Sequence, residues 1–266
     1  MPSEGFRPVL EPILRSAGDL ALQYFGQVTA EWKRDGSVVT RADRAVEDFL
    51  VDQLKRRFRG YAIVSEEGGH ADGDQGTWHV DPIDGTSSFL EGLAHWGPTL
   101  CLVRDDQLVV GAFWQPRLKE FWFAERGAGA WRCDVRLKAS DLARPQREQT
   151  LCAPSRFHLA GPVPWPGKVR ALGSSAAHLA LVASGSAAVA VVPEWALWDV
   201  GCGALLLEES GYSLFDAKGD PVDVARCPPG LPLVAGGPNA VQHLIRDGWA
   251  ERVLSPVRLM RRGGDE

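Results

Sequence analysis

Two carboxylates three residues apart, Asp81 and Asp84, flank Pro82 and Ile83 at the end of an apolar run that starts at Trp78. Pro82 has no amide hydrogen and biases Asp81 toward an extended backbone. Gly85 takes a positive φ without steric cost. Thr86, Ser87 and Ser88 behind it are each candidate N-caps for a short helix. The stretch therefore reads as a strand ending in a turn, with two anionic oxygen ligands above a helix N-terminus. Hard cations such as Mg2+ take carboxylate and carbonyl oxygens. The free N–H groups of a helix N-terminus suit a phosphate. One short segment offers both.

Asp84-Gly85-Thr86 also matches the tail of the signature Asp-x-Asp-Gly-Thr, in which the first Asp attacks phosphorus. Pro82 occupies that place and cannot be a nucleophile, so water activated by a metal is the expected chemistry. More acidic groups stand in short blocks elsewhere: Thr40-Arg41-Ala42-Asp43, Ser65-Glu66-Glu67-Gly68 and Trp198-Asp199-Val200-Gly201. Gly173-Ser174-Ser175 precedes the last of them. Taken singly, Asp81 and Asp84 are ordinary turn formers, Asp199 an ordinary N-cap and Glu66-Glu67 a solvated pair.

Together, and in this order, the five blocks resemble the inositol monophosphatase family of Mg2+-dependent, often lithium-sensitive phosphatases. The resemblance runs from about residue 8 to 247. It implies a layered αβαβα sandwich of the α/β (α+β) class and two or three Mg2+ per site. By resemblance Glu66, Asp81 and the Ile83 carbonyl hold one ion; Asp81, Asp84 and Asp199 hold another. Glu66 and Thr86 orient the attacking water, Asp43 holds Thr86, and the amides of Gly85 and Thr86 bind phosphate. Lys33 is otherwise a solvated turn charge, but in the family a lysine of this loop faces the site. Ser174, Ser175 and Glu194 are assigned to the substrate side.

The resemblance also marks a departure. Inositol-type members carry a Glu seven residues before the Trp-Asp aspartate, and that position here is Val192. Glu194 replaces it only if the loop shifts, and a site without that acceptor recognises an inositol hydroxyl poorly. His95-Trp96-Gly97 and Trp114-Gln115-Pro116 look closer to the histidinol-phosphate phosphatase branch. The substrate therefore stays open among inositol phosphate, histidinol phosphate and another small sugar or nucleotide phosphate. A catalytically silent regulatory homologue would lack a ligand or the threonine; Glu66, Asp81, Asp84, Thr86 and Asp199 are all present.

Composition sets the outer bounds. The 266 residues are 45% hydrophobic, enough for a large core, with a net charge of −5 spread along the chain. That argues against a nucleic-acid surface, and no apolar run is long enough to span a bilayer. The start is not read as a signal peptide. Five scattered cysteines form no Cys-x-x-Cys pair and fit reduced thiols in a cytoplasm. The family reading adds a homodimer.

Apolar spacing predicts helices over about 8–25 and 40–57. A turn at Asp35-Gly36 is expected between them. A short strand at 61–64 and a polar loop over 70–76 follow. Residues 99–103, 108–114 and 120–123 read as an antiparallel meander. Gly127-Ala128-Gly129 lacks the context of a dinucleotide fingerprint. The charged stretch 138–149 divides an N-terminal half, 1–143, from a C-terminal half, 144–266, in one compact unit. Strands at 150–153, 168–172, 187–192 and 231–235 are expected beyond it. Helices are expected from Ser174, Asp199 and Asn239, with a loosely held tail after Asp247. Trp96 and Trp195 are candidates to line a substrate pocket.

Overall fold

Leu10, Ile13, Leu14, Ala17 and Ala21, spaced by threes and fours, form the buried stripe of the first helix, α1 (Arg7–Leu22). Pro12 lies inside it, on the exposed face, where water can take the carbonyl that its missing N–H leaves unpaired. The computed structural model describes residues 5–32, 38–139, 145–229, 231–246 and 248–249. A hairpin follows, β1 (Glu31–Trp32) against β2 (Val38–Val39). Its turn, and with it Lys33, lies outside the described residues.

Thr40 caps the second helix, α2 (Arg41–Arg57), through a reciprocal box. Its hydroxyl accepts from the Ala42 N–H at 3.0 Å, while Asp43 accepts the Thr40 N–H at 2.7 Å.

Nine elements then build the larger sheet and a short helix: β3 (Ala62–Ser65), β4 (His70–Ala71), β5 (Thr77–Asp84), α3 (Thr86–Leu90), β6 (Gly97–Arg104), β7 (Gln107–Gln115), β8 (Glu120–Glu125), β9 (Gly129–Arg132) and β10 (Val135–Arg136). Among the described residues this is an eight-stranded sheet ordered β10-β9-β8-β7-β6-β5-β3-β4. Only β3 and β5 run parallel. The expected meander is β6–β8. The glycine-rich stretch near 127–131 is a turn into β9, and the loop expected over 70–76 contains the short strand β4.

The second sheet uses β11 (Thr150–Cys152), β12 (Lys168–Arg170), β13 (Val189–Val192), β14 (Ser213–Phe215) and β15 (Leu233–Gly236), with helices α4 (Ser175–Ala183), α5 (Leu197–Ser210) and α6 (Pro238–Ile245). Its order is β12-β11-β13-β15-β14. The layers follow from which faces are apolar. Helices α1 and α2 cover one face of the large sheet. Helices α4 and α5 fill the space between the sheets, and α6 closes the far side. This is the αβαβα sandwich of the α/β (α+β) class.

Three local expectations are corrected. The last helix is capped by Gly237, not Asn239, because Pro238 fits the first helical position. Trp96 and Trp195 are packing residues. Trp96 is fully buried against Phe25 and Phe89 and donates to the Leu93 carbonyl. Trp195 is 6% exposed and donates to the Leu231 carbonyl. Trp249, at the start of the stretch expected to be loosely held, belongs to the outer core, its ring wholly buried beside α6; residues 250–266 of that stretch lie outside the described residues.

Gly97 faces Asp84 across the β5–β6 pair. A Cβ there would run into the Trp114 carbonyl oxygen. Gly97→Ala is therefore expected to cost about 3 kcal/mol of stability, read as a lower denaturant midpoint.

Candidate active site

Parallel pairing of β3 with β5 sets Ser65 opposite Val80, and the Glu66 N–H donates to the Val80 carbonyl at 3.1 Å. Glu66 therefore leaves its strand beside Asp81. It is half-buried rather than turned out to bulk solvent. On the other side, Asp81 pairs with Thr99 and Asp84 with Gly97, so β5 uses one more residue than β6 over the same span. Residues three apart in a regular strand point to opposite faces. The extra residue turns the strand, and Asp81 and Asp84 act on one another.

Gly85 then adopts φ +92° and serves as the cap of α3. A side chain there would crowd the His95 and Gly173 carbonyls. The expected serine and threonine caps are thus replaced by Gly85, and Thr86 becomes the first helical residue, its N–H without an intrahelical acceptor. The Thr86 hydroxyl lies 3.1 Å from Asp43 Oδ1 and 3.2 Å from the Ile83 carbonyl. Asp43 is wholly buried. Burial raises its pKa, and hydrogen bonds from Thr40 and Thr86 pull it back in part.

Ser174 caps α4 and also bonds through its hydroxyl to Asp84. The Asp84 carboxylate accepts the Ser175 N–H at 3.2 Å and the Ala176 N–H at 3.0 Å. It thus sits on the positive end of a helix from the second half of the chain. Ser174 and Ser175, expected on the substrate side, are used in this structure to orient Asp84. The turn before them is held by neutral His178, whose Nε2 accepts the Leu172 N–H at 3.0 Å. Burial lowers the His178 pKa to about 4, which keeps that acceptor free of a proton.

Asp199 is the third residue of α5, not its opening cap. Its Oδ2 accepts the Ala196 N–H at 2.6 Å. The Asp81 carboxyl is buried, and its pKa is raised well above the usual carboxylate range. Desolvation is the main cause, followed by the negative charges of Glu66, Asp84, Asp199 and Asp43. Asp84 is pushed up to about 7, mainly by desolvation, with the Ser174, Ala176 and Ser175 bonds opposing.

The main charges acting on Asp81 are all negative, and the donors are all oxygen, a set that suits a hard dication. Among the described residues no three His, Cys, Asp or Glu side chains form a ready-made metal cage. Asp84 and Asp199 each accept backbone N–H groups, which hold their carboxylates in place.

The profile of the inositol monophosphatase family matches residues 4–249. The chain belongs to the inositol monophosphatase family. A histidinol-phosphatase of Chlorobaculum parvum is 32% identical over 218 residues, which cover 78% of this chain and 84% of that protein. A Nus factor SuhB of Xylella fastidiosa is 28% identical over 264 residues, covering 92% and 95%. The solved structure of an IMPase from Thermotoga maritima superposes with a TM-score of 0.79 at 26% identity, covering 94% of this chain and 97% of that one.

Within this family member, the structure brings Asp43, Glu66, Asp81, Ile83, Asp84, Thr86 and Asp199 to one place. Glu194 is exposed on the turn before α5, two residues before the Ala196 N–H that Asp199 accepts, and Val192 is a buried core residue of β13. Sequence reasoning missed Glu47. Its buried carboxylate accepts the Ser65 hydroxyl and the N–H groups of Glu67 and Gly69, bracing the loop that carries Glu66. The available signal was its spacing, four residues after Asp43 and so on the same face of α2.

Proposed function

We propose that this chain is a Mg2+-dependent phosphomonoesterase that hydrolyses a small phosphorylated metabolite with water as nucleophile. The observation that carries the reading is the acidic cluster centred on buried Asp81, beside the Gly85–Thr86 turn. Glu66, Asp81, the Ile83 carbonyl, Asp84 and Asp199 would hold two or three Mg2+. When bound, these ions would neutralise the phosphate oxygens and the departing alkoxide.

The chain's own groups do the rest. The free amides of Gly85 and Thr86 bind phosphate oxygens. The Thr86 hydroxyl donates to Asp43, which leaves its lone pairs to accept a hydrogen bond from water. Together with Glu66 it aims that water in line with the scissile bond. Lys33 is assigned to the phosphate side of the site. Ser174 and Ser175 act through Asp84. Asp199 arrives from the half 144–266 and the other acidic ligands from 1–143, so the two halves work as one unit. The reading includes a homodimer in the cytoplasm and inhibition by lithium. Light scattering on the purified chain and inhibition assays with LiCl test the first and last of these.

The substrate is of the inositol monophosphate type or histidinol phosphate. The buried Val192 favours the second, because the position of the family's ring-hydroxyl acceptor is given to the core. Phosphate release should be measured over inositol 1-phosphate, histidinol phosphate, fructose 1,6-bisphosphate and adenosine 3′,5′-bisphosphate, with Mg2+ and with chelator. Turnover of about 1–100 s⁻¹ on one of them, lost in chelator, is expected. No chelator-sensitive release from any would favour a regulatory role, as the name of the SuhB relative suggests for that protein.

A further inference from the structure

At the opposite end of the strands that carry the acidic cluster lies a cavity of about 350 Å3, floored by Phe6, Phe58 and Tyr61 and rimmed by Arg57, Arg59 and Arg104. Arg7, Arg15, Arg44, Arg56, Arg126 and Arg132 each reach a carboxylate. Among the described residues the three cavity arginines reach none. Arg104 donates to the Tyr61 hydroxyl at 2.6 Å and to the Gln75 carbonyl at 3.3 Å, and Arg57 to the Gln53 side chain at 3.5 Å. These partners are neutral, and among the described residues no carboxylate lies within ion-pair distance of the three guanidinium groups. The floor is aromatic: Phe58 lies 6.1 Å from both Phe6 and Tyr61, and Arg104 sits over the Tyr61 ring.

We propose that this cavity is an effector site for a small organic anion carrying a flat ring, of the aryl or nucleoside phosphate class. The guanidinium forks match the oxygens of a phosphate, and the partly exposed Tyr61 ring offers a surface for the flat group. The position supplies the link to turnover. Arg57 and Phe58 end α2, which begins beside Asp43. Tyr61 precedes β3, which leads to Glu66. Gln75 precedes β5, which ends at Asp81 and Asp84. A ligand here touches the far ends of the three elements that hold most of the acidic cluster, and binding at one end is coupled to the other.

Phenylphosphonate, which has no ester to hydrolyse, is a suitable probe. In chelator, where the acidic cluster repels anions, calorimetry is expected to show one site on the full chain. The Arg57→Ala/Arg59→Ala double variant, altered only at exposed side chains, is expected to bind at least about tenfold more weakly with an unchanged melting temperature. Methylphosphonate, lacking the ring, is expected to bind more weakly than phenylphosphonate. No binding, or equal binding by the double variant, would overturn the site; equal binding of methylphosphonate would overturn its ring specificity. With Mg2+ and substrate, phenylphosphonate is expected to change the wild-type rate in a way the double variant does not share. The same response in both would overturn the effector role. The binding arm is independent of the proposed phosphatase activity, so the two readings fail separately.

Discussion

Asp81→Asn is expected to lose at least about 10³-fold in phosphate release while raising the melting temperature of the metal-free protein at pH 8. The loss follows from removing the carboxylate assigned to both ions. The gain follows from what that carboxylate costs without them. An acid whose folded pKa lies above 3.8 keeps its proton longer in the folded chain than in the unfolded one. Below about pH 3 both states are largely protonated and the group is nearly neutral toward stability. As pH rises from there the unfolded state ionises first, so stability falls until the folded pKa is passed and the penalty levels off. Asparagine never ionises, and its side-chain oxygen can still accept the Ile83 N–H that Asp81 Oδ1 takes at 2.9 Å. The stabilisation should therefore be small at pH 3 and much larger at pH 8. Adding Mg2+ should raise the wild-type melting temperature more than that of the variant. Thermal scans in chelator at both pH values decide it: an Asn variant less stable than wild type at pH 8 would contradict the like-charge account.

What made the cluster legible was that each acidic residue sat next to a structural signal. Pro82 and Gly85 marked the end of a strand, Thr40 with Asp43 marked a cap, and Gly68-Gly69 marked a return. Local signals fix local geometry, and the helix over 41–57 and the meander β6–β8 followed from them. The rest depended on contacts between distant segments. Nothing local to Asp84 shows that it docks on the N-terminus of α4, some ninety residues later, and so Ser174 and Ser175 read as substrate residues. Glu47 went unread because its partners, Ser65, Glu67 and Gly69, come from another strand and loop. Trp96 looked like a pocket residue because an aromatic beside a motif is ambiguous until its neighbours, Phe25 and Phe89, are known. Burial at the end of the chain was equally hidden: Trp249 follows a polar stretch, and only the outer sheet gives it a place to pack.

Asp43 has two tasks that one substitution cannot separate and two can. Its Oδ2 accepts the Thr40 N–H and hydroxyl, which fixes the start of α2; its Oδ1 accepts the Thr86 hydroxyl. Asp43→Ala removes both and is expected to lower kcat about 10²–10³-fold and stability by about 1–2 kcal/mol. Asp43→Asn should keep the first task, with its carbonyl oxygen turned to the Thr40 N–H. Its amide nitrogen then faces Thr86 and donates where the carboxylate accepted. The Thr86 hydroxyl must send its proton to the Ile83 carbonyl instead, 3.2 Å away, and one of its two lone pairs is taken by the amide, which turns the other away from the water. Asp43→Asn is thus expected to melt near the wild-type temperature, to keep its KM, and yet to lose kcat almost as far as the Ala variant. Thr86→Val, which removes the hydroxyl and leaves the cap intact, should fall to a similar rate. An Asn variant with near wild-type kcat would leave Asp43 as a helix cap alone, because a purely structural role follows the melting temperature while a role in aiming water follows the direction of one hydroxyl proton.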